Sequence, residues 1–157
     1  MHQVHDRVFV GAESDCIAAS PNLAVVHACK SPCHQHAVGY RGKLPNTHPH
    51  YLVLERGHDL YLNIIDPPVP LFKPELFDSF LAFARHSWSA GGRLLIHCNQ
   101  GESRAPTLAL LFLAKHCRVI RDESFEAAAA DFAPRYPTYN PGLGIRSYLT
   151  QHWLEIA

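Results

Sequence analysis

The sequence predicts an α/β domain with a mixed, mostly parallel central sheet flanked by helices. Two observations carry that expectation. In the first half, short β-rich runs are separated by Gly, Pro and Asn punctuation, the pattern of strands joined by turns. In the second half the apolar residues recur at helical spacing around one buried strand, so strand and helix alternate before the chain closes in helices.

Taken in order, Arg7 to Val10, Leu23 to Ala28, Tyr51 to Leu54 and Leu60 to Ile65 are rich in branched and aromatic residues and predict four strands. Between the second and third, KSPCHQHAVGYRGKLPNTHPH is too polar and too broken for a regular element, and predicts an irregular surface loop of unusual length. After IIDPPVPLFKP, the residues Leu76, Phe77, Phe80, Leu81, Phe83 and Ala84 mark one face of a helix that Gly91-Gly92 stops. Arg93 to His97 predicts a buried strand. Ala105 to Cys117 predicts an apolar helix, with Pro106 near its first position, where a missing N–H costs little. Asp122 to Ala133 and Leu143 to Trp153 predict two further helices, parted by the breaker PRYPTYNPG. No internal repeat is present, and Ala127 to Ala130 is a helix-favouring tetrad rather than a linker.

A single domain over residues 1–157 is expected, large enough to bury a core without disulfide or metal staples. Lys plus Arg and Asp plus Glu balance at 14 each, so no overall field draws the protein to nucleic acid or to an anionic membrane. Any anion recognition is therefore local. The five cysteines, Cys16, Cys29, Cys33, Cys98 and Cys117, are odd in number and irregularly spaced, which predicts a reducing, cytoplasmic setting. No leader-like opening and no apolar run of membrane-spanning length is read, so a soluble, unexported protein is expected. The sequence leaves the oligomeric state open.

Chemistry concentrates in LLIHCNQGESRAPT, where a buried strand ends at Cys98 and a helix begins at Arg104. A loop of Asn99, Gln100, Gly101, Glu102 and Ser103 between them can curl around a tetrahedral oxyanion, its backbone N–H groups pointing inward beside a helix N-terminus. Gly101 permits the tight curl. Arg104 can close the ring with a bidentate grip on two phosphate oxygens. The same positive surroundings favour thiolate over thiol, which makes Cys98 a nucleophile aimed at phosphorus. His97, just behind it, orients the loop rather than serving as a base.

HCNQGESRAPT, with the apolar strand before it, resembles the signature of the protein tyrosine phosphatase superfamily, most closely its dual-specificity-like branch with a Cys-x5-Arg loop. The resemblance implies the cysteine-phosphatase fold and hydrolysis of a phosphomonoester through a phosphocysteine intermediate, with no cofactor and no metal. It further implies that Asp66, at the end of a strand in LNIIDPPVP, is the general acid. Pro67, Pro68 and Pro70 then keep its mount extended and stiff. Low-molecular-weight phosphatases and arsenate reductases place a similar loop near the N-terminus, and position 98 argues against them. Glu102 is a rival acid, but its charge repels a dianionic substrate, which leaves it a role at the rim. One position departs from the pattern: Ala105 stands where the family usually has Ser or Thr, whose hydroxyl stabilises the leaving thiolate. Slower hydrolysis of the phosphoenzyme follows, unless Ser103, Thr107 or a water substitutes.

Other constellations are weaker. His27, Cys29, Cys33, His34 and His36 in HACKSPCHQH invite a zinc reading, but the spacing is irregular and a solvated histidine-rich loop is expected instead. Cys29 at a strand end is a candidate for a protective disulfide with Cys98, as in some members of the family. Tyr136, Tyr139 and Asn140 resemble the family's late loop beside the active site, although a connector whose aromatics cover the core is the simpler reading. The expected activity is that of a phosphatase acting on phosphotyrosine, and also phosphoserine or phosphothreonine, in a protein or small phosphomonoester. A phosphate-binding pseudophosphatase is the alternative, and a thiol sulfurtransferase a third.

Overall fold

Strands form where branched side chains alternate across a pleat, and six such stretches join into one sheet in the computed structural model, which describes residues 1–157. They are β1 (His2–His5), β2 (Val8–Gly11), β3 (Leu23–His27), β4 (Val53–Arg56), β5 (Asp59–Leu62) and β6 (Arg93–His97), ordered β1-β2-β6-β3-β5-β4. The inner four, β2, β6, β3 and β5, run parallel, and β1 and β4 close the edges as antiparallel partners. The sheet is thus mixed and mostly parallel, as the sequence predicts. All of β3 is buried, and all of β6 beyond Arg93, as expected of inner parallel strands.

Register places Val10, Ile96, Val26 and Leu60 side by side. That row faces the helices. The helices are α1 (Gln35–Val38), α2 (Pro74–Ser89), α3 (Arg104–Phe112), α4 (Phe125–Phe132) and α5 (Leu143–His152). Buried residues of α2 through α5 join the even-numbered positions of the inner strands in one apolar cluster of 36 residues. On the opposite face, Leu23, Val25 and Leu95 make a separate cluster of 3 with partial cover from Phe9 and Ala19. No helix is long and apolar enough to cross a membrane.

Several boundaries differ from the sequence expectation. Strand β1 goes unread because only Val4 of HQVH is buried, so no alternation is visible. The β4–β5 hairpin begins and ends earlier or later than expected because Gly57, at φ +60°, sets the turn, and Asn63 to Ile65 leave the ladder. The stretch expected to be wholly irregular folds in part: a wide helical turn over Lys30–His34 leads into α1, which Gly39 ends at φ +94°. Its organiser is buried His34, whose Nδ1 accepts from the Tyr40 hydroxyl at 2.6 Å while Nε2 donates to the His50 carbonyl at 2.9 Å. Helix α4 starts after Asp122 because Ser124 caps it, its Oγ accepting from the Ala127 N–H at 3.1 Å.

Candidate active site

Strand β6 lies between β2 and β3, and all three present their carboxyl ends to one edge of the sheet, where open α/β sheets bind ligands. The chain leaves that edge at Cys98, whose N–H donates to the Gly11 carbonyl at 3.3 Å. One residue on, the Asn99 carbonyl accepts from the Glu13 N–H at 3.0 Å. The loop then folds back through Gly101, at φ +75°, where a Cβ would also press to 3.1 Å from the Gly11 carbonyl. Both the conformation and the close approach demand glycine there. The Gly101 N–H consequently points inward and donates to Cys98 Sγ at 3.2 Å.

Cys98 is buried, 2% exposed, at the floor of a cleft of about 400 Å³. Gln100, Glu102, Ser103 and Arg104 line the same cleft, with Asn99 beside them. Arg104 opens α3 and is held by its own partners: Nη1 donates to the Ile64 carbonyl at 3.0 Å, and Nη2 to Asn99 Oδ1 at 2.7 Å. Its Nε is buried with no partner in the protein. Asn99 is more than a loop member, because its amide also donates to Glu13 Oε1 at 2.7 Å and to the Ser31 carbonyl at 2.9 Å. It ties the guanidinium to two neighbouring segments. The residue type alone does not announce this role.

Asp66 follows β5 on an exposed, proline-rich stretch and lines the same cleft. Its carboxylate lies against Gly142, where any Cβ would collide with it. The structure therefore gathers Cys98, Arg104 and Asp66 around one cavity. Glu102 is exposed at its rim, and Ser103 is nearly buried, with its Oγ accepting from the Gly142 N–H at 2.8 Å.

The segment from Tyr136 to Gly142 clamps the loop from outside. The Tyr136 hydroxyl donates to the Gly101 carbonyl at 2.6 Å, and the Asn140 N–H donates to the Glu102 carbonyl at 2.8 Å. Tyr139 shares a hydrogen bond of 2.8 Å with Thr107, which donates to the Ser103 carbonyl at 2.6 Å. These aromatics do cover the core, and they also hold the loop. Ala105 is wholly buried and offers only a methyl group. Thr107 has spent its proton on a carbonyl and does not replace the missing hydroxyl donor.

His97 is fully buried and points away from Cys98, as successive strand residues must. Its Nε2 lies 2.8 Å from His27 Nδ1, and Nδ1 lies 3.4 Å from the Cys98 carbonyl. Burial pulls its pKa down to about 4, so the ring is neutral near pH 7. His27 in turn meets Asp59 Oδ1 through Nε2 at 2.7 Å and stacks on Tyr61 with centroids 4.3 Å apart. Sequence reasoning found neither His27 nor Asp59 beside His97, because register across β3, β5 and β6 brings them together. All five cysteines are free thiols. Cys29 and Cys98 are both buried as free thiols, and the Cys33 thiol beside Cys29 holds the Cys29 pKa below the ordinary thiol value.

Chemically, this is a thiol that accepts from the Gly101 amide, an arginine fixed by two acceptors and a carboxyl group, all lining one cleft. No protein-family model matches the chain. A probable rhodanese domain-containing dual specificity protein phosphatase of Dictyostelium discoideum is 31% identical over 90 residues, which is 57% of this chain and 18% of the relative. Mouse dual specificity protein phosphatase 2 is 38% identical over 50 residues, 32% of this chain and 16% of the relative. The chain thus spans less than a fifth of the length of these relatives. Among solved structures, the human tyrosine phosphatase-like serine/threonine/tyrosine-interacting protein superposes with a TM-score of 0.70 at 19% identity, covering 99% of this chain and 96% of its own. Human DUSP28 does so with a TM-score of 0.68 at 19% identity over the same shares, 99% and 96%. The fold is that of the tyrosine and dual specificity phosphatases, and the partial sequence matches fall in the same dual-specificity-like branch of the superfamily.

Proposed function

We propose that residues 1–157 form one cysteine-dependent phosphatase unit that hydrolyses a phosphomonoester, with phosphotyrosine and also phosphoserine or phosphothreonine as the substrate class. The phosphate dianion sits in the curl from Asn99 to Ser103, its oxygens held by inward amides and Arg104. Cys98 Sγ attacks phosphorus as the bond to the leaving oxygen breaks, and Asp66 gives that oxygen its proton. The Asp66 carboxylate then takes a proton from water as that water attacks the phosphocysteine. The S–P bond breaks, inorganic phosphate forms and the Cys98 thiolate returns. No metal takes part in these steps. His97 positions the loop through the Cys98 carbonyl, and a reducing, cytoplasmic setting suits the free thiols.

One observation carries the reading: Arg104 Nε is buried without an acceptor at the edge of the cleft that Cys98 and Asp66 also line. An unpaired buried donor costs about 1–3 kcal/mol, which an oxyanion in the cleft recovers. Ala105 favours a second reading, a phosphate-binding module with little turnover, because only the Gly101 amide is seen to support the sulfur. An aryl phosphate assay separates the two. Vanadate-sensitive hydrolysis, lost in Cys98→Ser while that variant still binds phosphopeptide, is the expected result. Retained phosphopeptide binding without any such hydrolysis in the wild type assigns the module instead.

A further inference from the structure

The sheet face opposite Cys98 carries metal-ligating side chains that phosphoryl transfer leaves unused. His27 Nδ1, His97 Nε2 and Cys16 Sγ lie within 4.8 Å of one another, the two nitrogens 2.8 Å apart and the sulfur 3.6 Å from His27 Nδ1. Ligands on adjacent corners of a zinc tetrahedron sit roughly 3.3–3.8 Å apart, given Zn–N and Zn–S bonds of about 2.0–2.3 Å. Small side-chain movements therefore convert this contact into a coordination shell. We propose that Cys16, His27 and His97 bind a thiophilic divalent cation of the zinc class, with water in the fourth position.

The proton inventory of the two imidazoles argues for it. Both rings are buried, and a neutral imidazole carries one N–H. His27 must keep its proton on Nε2, which donates to the Asp59 carboxylate at 2.7 Å, so its Nδ1 offers a lone pair. If His97 protonates Nδ1 toward the Cys98 carbonyl, two lone pairs meet across 2.8 Å; if it protonates Nε2, a lone pair faces that carbonyl at 3.4 Å. In the second arrangement Nε2–H donates to His27 Nδ1, but His97 Nδ1 is left without a donor. A cation between the nitrogens gives every ring nitrogen a partner, with His97 Nδ1–H on the carbonyl and His27 Nε2–H on Asp59. Each ligating ring then donates its other N–H to a backbone carbonyl or a carboxylate, the usual support of a metal-bound histidine.

Cys16 is exposed, which gives the cation a route in, and its sulfur binds as thiolate, so binding displaces a proton. The ligands come from the β2–β3 connection, β3 and β6. They are not the consecutive HACKSPCHQH run, whose His34 is committed to Tyr40 and His50. Cys29 and Cys33 also lie within 4.8 Å of His97 and enrich the soft character of the surroundings.

The site does not rest on the phosphatase reading, and its test is independent of turnover. Chelator-treated protein, kept reduced with a phosphine, is titrated with Co²⁺ and then with Zn²⁺. One equivalent of Co²⁺ is expected to give intense tetrahedral d–d bands and a thiolate-to-cobalt charge-transfer band, all erased by Zn²⁺. Cys98→Ser leaves them intact. Cys16→Ser removes the charge-transfer band and weakens binding about tenfold or more, and Asp59→Asn, a change at a positioning residue, weakens it about 10–100-fold while the band persists. Absence of the bands in the wild type overturns the proposal. Bands that vanish in Cys98→Ser but persist in Cys16→Ser overturn it equally, by placing the cation on the loop thiol.

Discussion

Cys98 and His97 are neighbours in the chain and face opposite sides of the sheet, and those two sides are built differently. Behind Cys98 stands a cluster of 36 buried apolar residues supplied by four helices and the inner strands. Behind His97 stand 3 apolar residues and then imidazoles, thiols and a carboxylate joined by hydrogen bonds. A loop that holds the Gly101 amide on the Cys98 sulfur gains from rigid, dense packing at its base. The thinner side secures the same loop through polar contacts, and polar contacts are the ones that a proton or a cation can change.

The contrast is open to direct attack, from its largest consequence to its smallest. Cys98→Ser is expected to cut aryl phosphate hydrolysis about 10⁴-fold or more, while the urea midpoint stays close to the wild-type value. Rates comparable to wild type in steady-state assays remove Cys98 from the chemistry. Asp66→Asn should lower kcat about 10²–10⁴-fold on poor leaving groups and much less on acidic phenols, because only the former need the proton. A uniform loss across a series of aryl phosphates contradicts its role as acid.

The two sides can also be weighed with one substitution. Leu94 and Leu95 are adjacent and both wholly buried, yet Leu94 belongs to the large cluster and Leu95 to the small one. Leu94→Ala is expected to cost about 4–5 kcal/mol and Leu95→Ala about 2–3 kcal/mol, since the smaller cluster collapses more easily around the void. Equal losses in urea unfolding break the comparison. Ala105→Ser restores a hydroxyl beside the sulfur and should raise kcat up to about tenfold, the worth of one hydrogen bond of about 1.4 kcal/mol, if phosphoenzyme hydrolysis limits turnover. A burst of product in the wild type, absent in the variant, is the confirming signature.

The smallest effect belongs to His34. Burial lowers its pKa, and protonation breaks the hydrogen bond that Nδ1 accepts from Tyr40. The unfolded chain takes up that proton at higher pH than the folded one, so the contribution is fully present above the ordinary histidine value of about 6.5 and declines as pH falls below it. His34→Gln should flatten the pH dependence of the urea midpoint in that window. An unchanged slope refutes the assignment.

How much of this was legible in the sequence varies by element. Inner strands β2, β3 and β6 show as continuous apolar runs, because a parallel strand is buried on both faces. Strand β1 does not show, since its only buried residue is Val4 and its pairing with β2 is an edge contact. The turn around His34 is invisible for another reason: its partners, the Tyr40 hydroxyl and the His50 carbonyl, are nothing unusual as residue types. Tyr136 and Asn140 could be noticed between their prolines, but that Tyr136 holds the Gly101 carbonyl, and the Asn140 amide the Glu102 carbonyl, depends on where α4 delivers them.

The sequence by itself determined the loop from Cys98 to Arg104: strand end, thiol, glycine, arginine and helix start follow one another within a few residues, where local sterics and hydrogen bonding decide the conformation. Tertiary structure alone decided what surrounds it. Asp66 reaches the cleft, Asn99 meets Glu13 and Ser31, and His27, His97 and Cys16 converge because the strand order sets residues distant in the chain side by side. The physical reason is that strand order and register are chosen by burial of the whole sheet, and no short stretch of residues carries that information.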